Sequence, residues 1–209
     1  MNTGSGALPR TQIEGSEQPD FGTYHCSTPH DSAEAREKIK LVFTKAFSSL
    51  PFSRDEKIKI LDVGCGLGFV SCACAEFYRN ALVTGFDTFD HSSLRGSSLA
   101  KARRNADILR LSARVRFEKG NIFASEYGSG EFGVFVSNLV FHNFGRKRFE
   151  AYGMVASWVH PGSYVILGDL MFYPAADLKH LSSLFSSVKE IPAKEVISDY
   201  RMLVMSGPK

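Results

Sequence analysis

Three glycines, at positions 64, 66 and 68, close the run Ile58–Phe69 (IKILDVGCGLGF) and carry the strongest chemical signal in the chain. A short apolar run followed at once by clustered glycine predicts a buried strand turning sharply into a helix, with backbone N–H groups left free at the turn. Such a turn can hold an anionic or polar cofactor group against the chain. One acid, Asp62, precedes the turn, and a second, Asp87, ends the apolar run that starts at Ala81, 23 residues beyond Gly64. A carboxylate at that distance can accept both hydrogen bonds of a ribose's vicinal hydroxyls, although Asp87 also reads as a cap or turn residue. The spacing separates cofactor classes. A dinucleotide fingerprint places glycine at its first, third and sixth positions, and the sixth position here is Phe69.

The stretch Asp62-Val63-Gly64-Cys65-Gly66-Leu67-Gly68 resembles the first motif of class I S-adenosylmethionine-dependent methyltransferases, and the span from about Lys57 to Ser206 can be laid on that fold. The resemblance implies S-adenosyl-L-methionine as cofactor. It implies that Asp62 and the glycines Gly64, Gly66 and Gly68 meet the methionine part, with Asp62 accepting from its ammonium. Asp62 reads equally as a structural acid holding loop N–H groups. Thr88 would line the adenosine pocket beside Asp87. Asn121 stands where the family commonly has Asp; its amide oxygen can accept the same bond from the adenine amine, and Ile122 would pack on the ring. Asn after Gly120 is also an ordinary turn former.

The segment Val136-Ser137-Asn138-Leu139-Val140-Phe141-His142 resembles the family's apolar stretch ending in His, which would turn Ser137 and Asn138 to the methionine end and Phe141-His142 to the acceptor. The Asn/Asp-Pro-Pro-aromatic tetrapeptide of many amino-methylating relatives is absent, which counts against an adenine or glutamine amide nitrogen as acceptor. A thiolate or free amine needs little acid–base help, whereas a hydroxyl or ammonium acceptor needs a base; His142 is the first candidate and Asp169 the second. Loop packing for His142 and helix capping for Asp169 are the plain alternatives. Met171, Phe172 and Tyr173 could wall the acceptor pocket. An aromatic rim of Phe141, Phe172 and Tyr173 favours a small-molecule acceptor, with RNA or protein as the alternative.

Two further classes compete. A nicotinamide-dependent oxidoreductase shares the glycine turn and the acid after strand two, but not the glycine expected at 69. A non-catalytic subunit could keep the fold to activate a partner.

The elements that must position these residues alternate along the chain. Strands are expected at about Ile58–Val63, Ala81–Phe86, Arg114–Glu118, Phe132–Ser137 and Tyr164–Leu170. Helices fall between them at about Gly68–Tyr78, Ser92–Leu109 and Arg146–Trp158. A short helix near Ala176–Phe185 and closing strands near Val188–Ile197 and Arg201–Ser206 follow, the last two joined by a turn at Ser198-Asp199. This order places a seven-stranded, mostly parallel sheet between two helical layers, a Rossmann-like three-layer α/β sandwich whose last strand is antiparallel. A first helix, capped by Asp31 or Ser32, carries Ile39, Val42, Phe43, Ala46, Phe47 and Leu50 at helical spacing. Residues 1–30 read as a loose polar tail, and residues 31–209 as one domain. Phe21 and Tyr24 stand out in that tail and suggest a lid over the cofactor pocket or a docked surface segment.

Composition narrows the rest. A net charge of +3 without a long basic block does not call for nucleic acid. The four cysteines and six histidines show no metal-ligand spacing, so no metal is expected. With no signal-like opening and no run of 18 apolar residues, a cytoplasmic chain without membrane association is expected.

Overall fold

The computed structural model describes residues 17–209, so most of the expected loose tail lies outside the described residues. Helix α1 spans Pro29–Ser48. It starts ahead of the expected cap because Pro29 takes the first helical position, where its missing N–H costs nothing. Thr28 is then the cap, its Oγ1 accepting from the Asp31 N–H at 3.1 Å.

Beyond α1 the chain runs β1 (Lys59–Val63), α2 (Phe69–Phe77), β2 (Leu82–Asp87), α3 (Leu99–Ile108), β3 (Val115–Lys119) and β4 (Val134–Asn138). A 3₁₀ turn over Phe141–Lys147 leads into α4 (Arg148–Trp158), followed by β5 (Tyr164–Leu170), α5 (Pro174–Leu184), β6 (Phe185–Ile191) and β7 (Tyr200–Pro208). The sheet has seven strands in the order β3-β2-β1-β4-β5-β7-β6. All neighbours are parallel up to β5, and β7 runs antiparallel to both β5 and β6. This is the expected Rossmann-like sandwich.

Strand side chains alternate between two cores. Ile60, Val83, Val115, Val134, Val136 and Ile166 pack with α1, α2 and α3 on one face. Leu61, Val63, Phe135, Val165 and Leu167 pack with α4 and α5 on the other. The strand order reverses between β1 and β4, and a crevice opens there at the carboxyl ends of the strands. Among the described residues no helix is long and apolar enough to cross a membrane.

Two further elements differ from expectation, and both differences shape the crevice. Helix α3 begins at Leu99 rather than Ser92, because Gly96 adopts φ +69° and Ser98 caps the helix by accepting from the Lys101 N–H. Residues 88–98 are therefore a loop at the mouth. Strand β6 ends at Ile191 instead of reaching Ile197, since Pro192 offers no N–H to a ladder. The connection 192–199 folds inward, burying Ala193 and Val196.

Candidate active site

The glycine turn has the backbone that glycine alone adopts readily: φ is +72° at Gly64, +52° at Gly66 and +84° at Gly68. Four of its N–H groups, however, are not free. Those of Gly64 and Cys65 donate to the Phe86 carbonyl at 2.9 and 3.1 Å, and that of Gly68 to the Cys65 carbonyl at 2.8 Å. The Gly66 N–H donates to Asp87 Oδ2 at 2.9 Å. Packing the turn against the end of β2 consumes these donors, so the expectation of free N–H groups is corrected. What the turn offers instead is open space and a neighbouring carboxylate.

That space is a cavity of about 440 Å³, within the range of small-molecule sites. Asp62, Gly64, Gly66, Asp87, Thr88, Asn121, Ile122 and His142 all line it, so the fold brings together residues scattered over eighty positions. Asp87 sits at the end of β2 with Oδ1 accepting from the Phe89 N–H at 2.7 Å. Each carboxylate oxygen carries two lone pairs, and so Asp87 keeps one acceptor site per oxygen. Asn121 Oδ1 accepts from the Phe123 N–H at 3.0 Å, which shapes its own turn.

Three expected site residues lie off the cavity wall. Ser137 is buried and its hydroxyl donates to the Val63 carbonyl at 2.7 Å, tying β4 to β1. Gly68 starts α2, and a Cβ there would lie 2.5 Å from Phe117 Cζ; its role is close helix–sheet approach. Asp169 is 1% exposed. Its Oδ2 accepts from the Phe141 and His142 N–H groups at 2.7 and 3.2 Å, and its Oδ1 from the Leu170 N–H at 2.8 Å. Oδ1 also meets His142 Nδ1 at 2.5 Å. With every oxygen engaged by the chain, Asp169 orients the imidazole and has no access to a bound molecule.

The expected aromatic rim is also corrected. Phe141 turns into the opposite core and stacks on Tyr152 at 4.9 Å. Met171 is buried in that same core, while Phe172 and Tyr173 are exposed outside the cavity. Alternation carries β-strand side chains to two faces, and the 3₁₀ turn rotates Phe141 away as it brings His142 in.

The N-terminal segment supplies the missing wall. Phe21 and Tyr24 line the cavity, and the Phe21 ring meets Phe69 edge-on at 5.4 Å. Asn105 holds this segment through both amide groups, exchanging bonds with the Asp20 N–H and carbonyl at 2.9 and 2.8 Å. Leu94 of the 88–98 loop covers the turn, lying 2.9 Å from where a Gly66 Cβ would be. Arg36 of α1 enters the cavity as well. Sequence reasoning passed over it, yet its place in the stripe Ser32, Arg36, Ile39, Phe43 put a charge on the buried face of α1.

Two acid–base facts follow from burial. The Cys65 thiol on the cavity wall is pushed well above its ordinary value, mainly by desolvation, and stays protonated. Asp62 is raised to about 7, first by burial and despite the Ser71 hydroxyl that donates to Oδ2 at 2.6 Å. Its unfolded value is about 3.9. A folded value above the unfolded one gives stability that is complete below about pH 4 and lost as pH rises through about 7. Asp62→Asn should therefore raise the melting temperature at pH 8 and change it little at pH 4. Melting curves across that range check this, and parallel pH profiles for the two proteins would refute it.

A seven-stranded sheet with an antiparallel penultimate strand, a glycine turn after β1 and an acid ending β2 define the class I methyltransferase architecture. Residues 54–204 match the family profile described as a methyltransferase domain, and the chain belongs to that family. No curated protein sequence matches it. Among solved structures it is similar to the mitomycin 7-O-methyltransferase MmcR, at 13% identity and TM-score 0.59, covering 84% of this chain and 54% of that one. It is similar to human N-acetylserotonin methyltransferase in complex with S-adenosylmethionine, at 12% identity and TM-score 0.61, covering 86% and 54%. It also resembles mmp1179 of Methanococcus maripaludis, a candidate S-adenosyl-L-methionine-dependent methyltransferase, at 12% identity and TM-score 0.66, covering 86% and 90%. The chain thus spans little more than half the length of the first two.

Proposed function

We propose that this chain transfers the methyl group of S-adenosylmethionine to a small-molecule acceptor, at a hydroxyl or protonated amine that yields its proton to His142. The observation that carries this reading is His142 on the wall of the same cavity as Asp62 and Asp87, with its Nδ1 held by the buried Asp169 behind it. With Nδ1 held by Asp169, the imidazole presents Nε2 as the remaining nitrogen for proton transfer. The cofactor, when bound, supplies a methyl group on a sulfonium whose leaving thioether needs no acid.

The residues present fit that cofactor. The open acceptor sites of Asp87 suit the ribose hydroxyls, and the buried carboxylate of Asp62, in no ion pair among the described residues, suits the cofactor's ammonium. Asn121 and Ile122 suit the adenine edge and face, Thr88 borders them, and Gly64 and Gly66 leave room beside the sulfonium. Phe69 in place of the fingerprint's third glycine, together with the four occupied N–H groups of the turn, disfavours a pyrophosphate and with it the nicotinamide reading. The protein's part is then alignment of the acceptor within about 3–3.5 Å and exclusion of water.

A cavity of about 440 Å³ covered by residues 20–28 supports a small acceptor. The names of the mitomycin and N-acetylserotonin enzymes point the same way. One observation favours an RNA or protein acceptor instead: Phe172, whose ring lies 6.5 Å from that of His142, and Ile197 on the cavity wall are large, exposed side chains. Calorimetry should give S-adenosylmethionine much tighter binding than NADH; equal or tighter NADH binding sinks the cofactor. Labelled-methyl transfer against separated small-molecule, RNA and protein fractions then decides the acceptor. Label confined to RNA or protein would overturn the small-molecule reading.

A further inference from the structure

Arg36 is a buried cation that meets no anion among the described residues. It is 7% exposed, and it belongs to none of the ion pairs among the described residues. Its Nη2 donates to two neutral acceptors, the carbonyls of Phe21 and Gly22, at 2.7 and 2.6 Å. The guanidinium lies 4.5 Å from the centre of the Tyr24 ring, and the Tyr24 hydroxyl interacts with both Arg36 and Asn138. Asp31, one turn back on the same helix, is exposed and engaged with the Thr28 hydroxyl at 2.8 Å. A guanidinium taken out of water this far is costly unless a negative group completes it. Five N–H donors serve a bidentate partner, and the two carbonyls use Nη2 alone.

The sheet says where that partner comes from. With adenine beside Asn121 after β3 and ribose at Asp87 on β2, a cofactor laid along the strand ends brings its amino-acid head to β1 and β4. Asp62 on β1 offers the anion for its ammonium. Arg36, reaching the end of β4 through Tyr24 and Asn138, offers the cation for its carboxylate. We propose that Arg36 receives the α-carboxylate of the cofactor and, because the same guanidinium holds Phe21 and Gly22, couples that contact to docking of residues 20–28 over the cavity. This inference rests on the cofactor reading above. It adds a residue that both selects an intact amino-acid head group and latches the cover.

The test compares S-adenosylmethionine with decarboxylated S-adenosylmethionine, which keeps the ammonium and sulfonium but lacks the carboxylate. Calorimetry on the wild-type chain should show at least about tenfold weaker binding of the decarboxylated ligand, as loss of charge-assisted bonds requires. Hydrogen exchange should show residues 20–28 protected by S-adenosylmethionine and much less by the decarboxylated form. Arg36→Gln should bind both ligands alike, and Arg36→Lys should recover part of the preference. Equal wild-type affinity for the two ligands overturns the proposal even if a variant fails to fold, and points Arg36 at the acceptor instead. Retained preference in Arg36→Gln overturns it too. Wild-type protein that binds neither ligand would be a different result, the failure of the cofactor reading itself.

Discussion

Replacing His142 by Ala is expected to lower kcat by about 10²–10⁴-fold, the usual contribution of a positioned general base, while S-adenosylmethionine affinity stays at the wild-type level. The separation follows from position. His142 lines the cavity from the turn after β4, whereas Asp87 and Asn121 line it from the ends of β2 and β3, two and three strands away in the sheet. Asp169→Asn should lower kcat by a comparable order, because an amide nitrogen cannot accept from the Nδ1–H of the ring. It should also loosen the turn, since the same carboxylate accepts from the backbone of Phe141, His142 and Leu170. Asp169 is in this sense a positioning residue. Steady-state kinetics on the acceptor fraction that takes label, paired with calorimetry, check both variants. A His142→Ala enzyme with wild-type kcat would remove the base from the mechanism and leave an acceptor that needs none.

Asp87→Ala should weaken S-adenosylmethionine binding by an order of magnitude or more, and the structure adds a second consequence. The carboxylate holds the Gly66 and Phe89 N–H groups, apart from the ribose role proposed for it. Each charge-assisted bond is worth about 1.5–3 kcal/mol, so the variant loses both fold stability and affinity. Asp87→Asn separates the two effects. Its amide oxygen can still accept one of the backbone bonds, which keeps more of the turn in place, while paired recognition of two hydroxyls is lost. Thermal melting and calorimetry on the same samples measure the split. If Asp87→Ala melts lower but binds the cofactor as tightly as wild type, Asp87 is a turn residue only.

Several of these residues were legible before folding because their signals are local. The glycine turn needs left-handed backbone at fixed positions, and glycine is the residue that supplies it. Asp87 follows directly from the length of one strand–helix–strand unit. His142 was visible as a polar group closing an apolar stretch, and the tail aromatics Phe21 and Tyr24 as apolar surface that needed cover. In each case a short window of chain contains the whole argument.

By itself, then, the sequence determined the alternation of strands and helices, the antiparallel ending of the sheet and the identity of the turn beside the cavity. These rest on periodicity and backbone sterics, which act between near neighbours. Tertiary structure alone decided which of two cores a buried side chain enters, and so moved Phe141 and Met171 away from the site. It decided that Ser137 ties strands together, that Asp169 serves the imidazole, and that the N–H groups of Gly64, Cys65 and Gly66 belong to Phe86 and Asp87. It also brought Arg36 from α1 to a cavity whose lining extends to Ile197, 161 positions away. A hydrophobic pattern specifies that a residue is buried, but hydrogen-bond partners and the meeting of distant charges are set only when the strands take their order in the sheet.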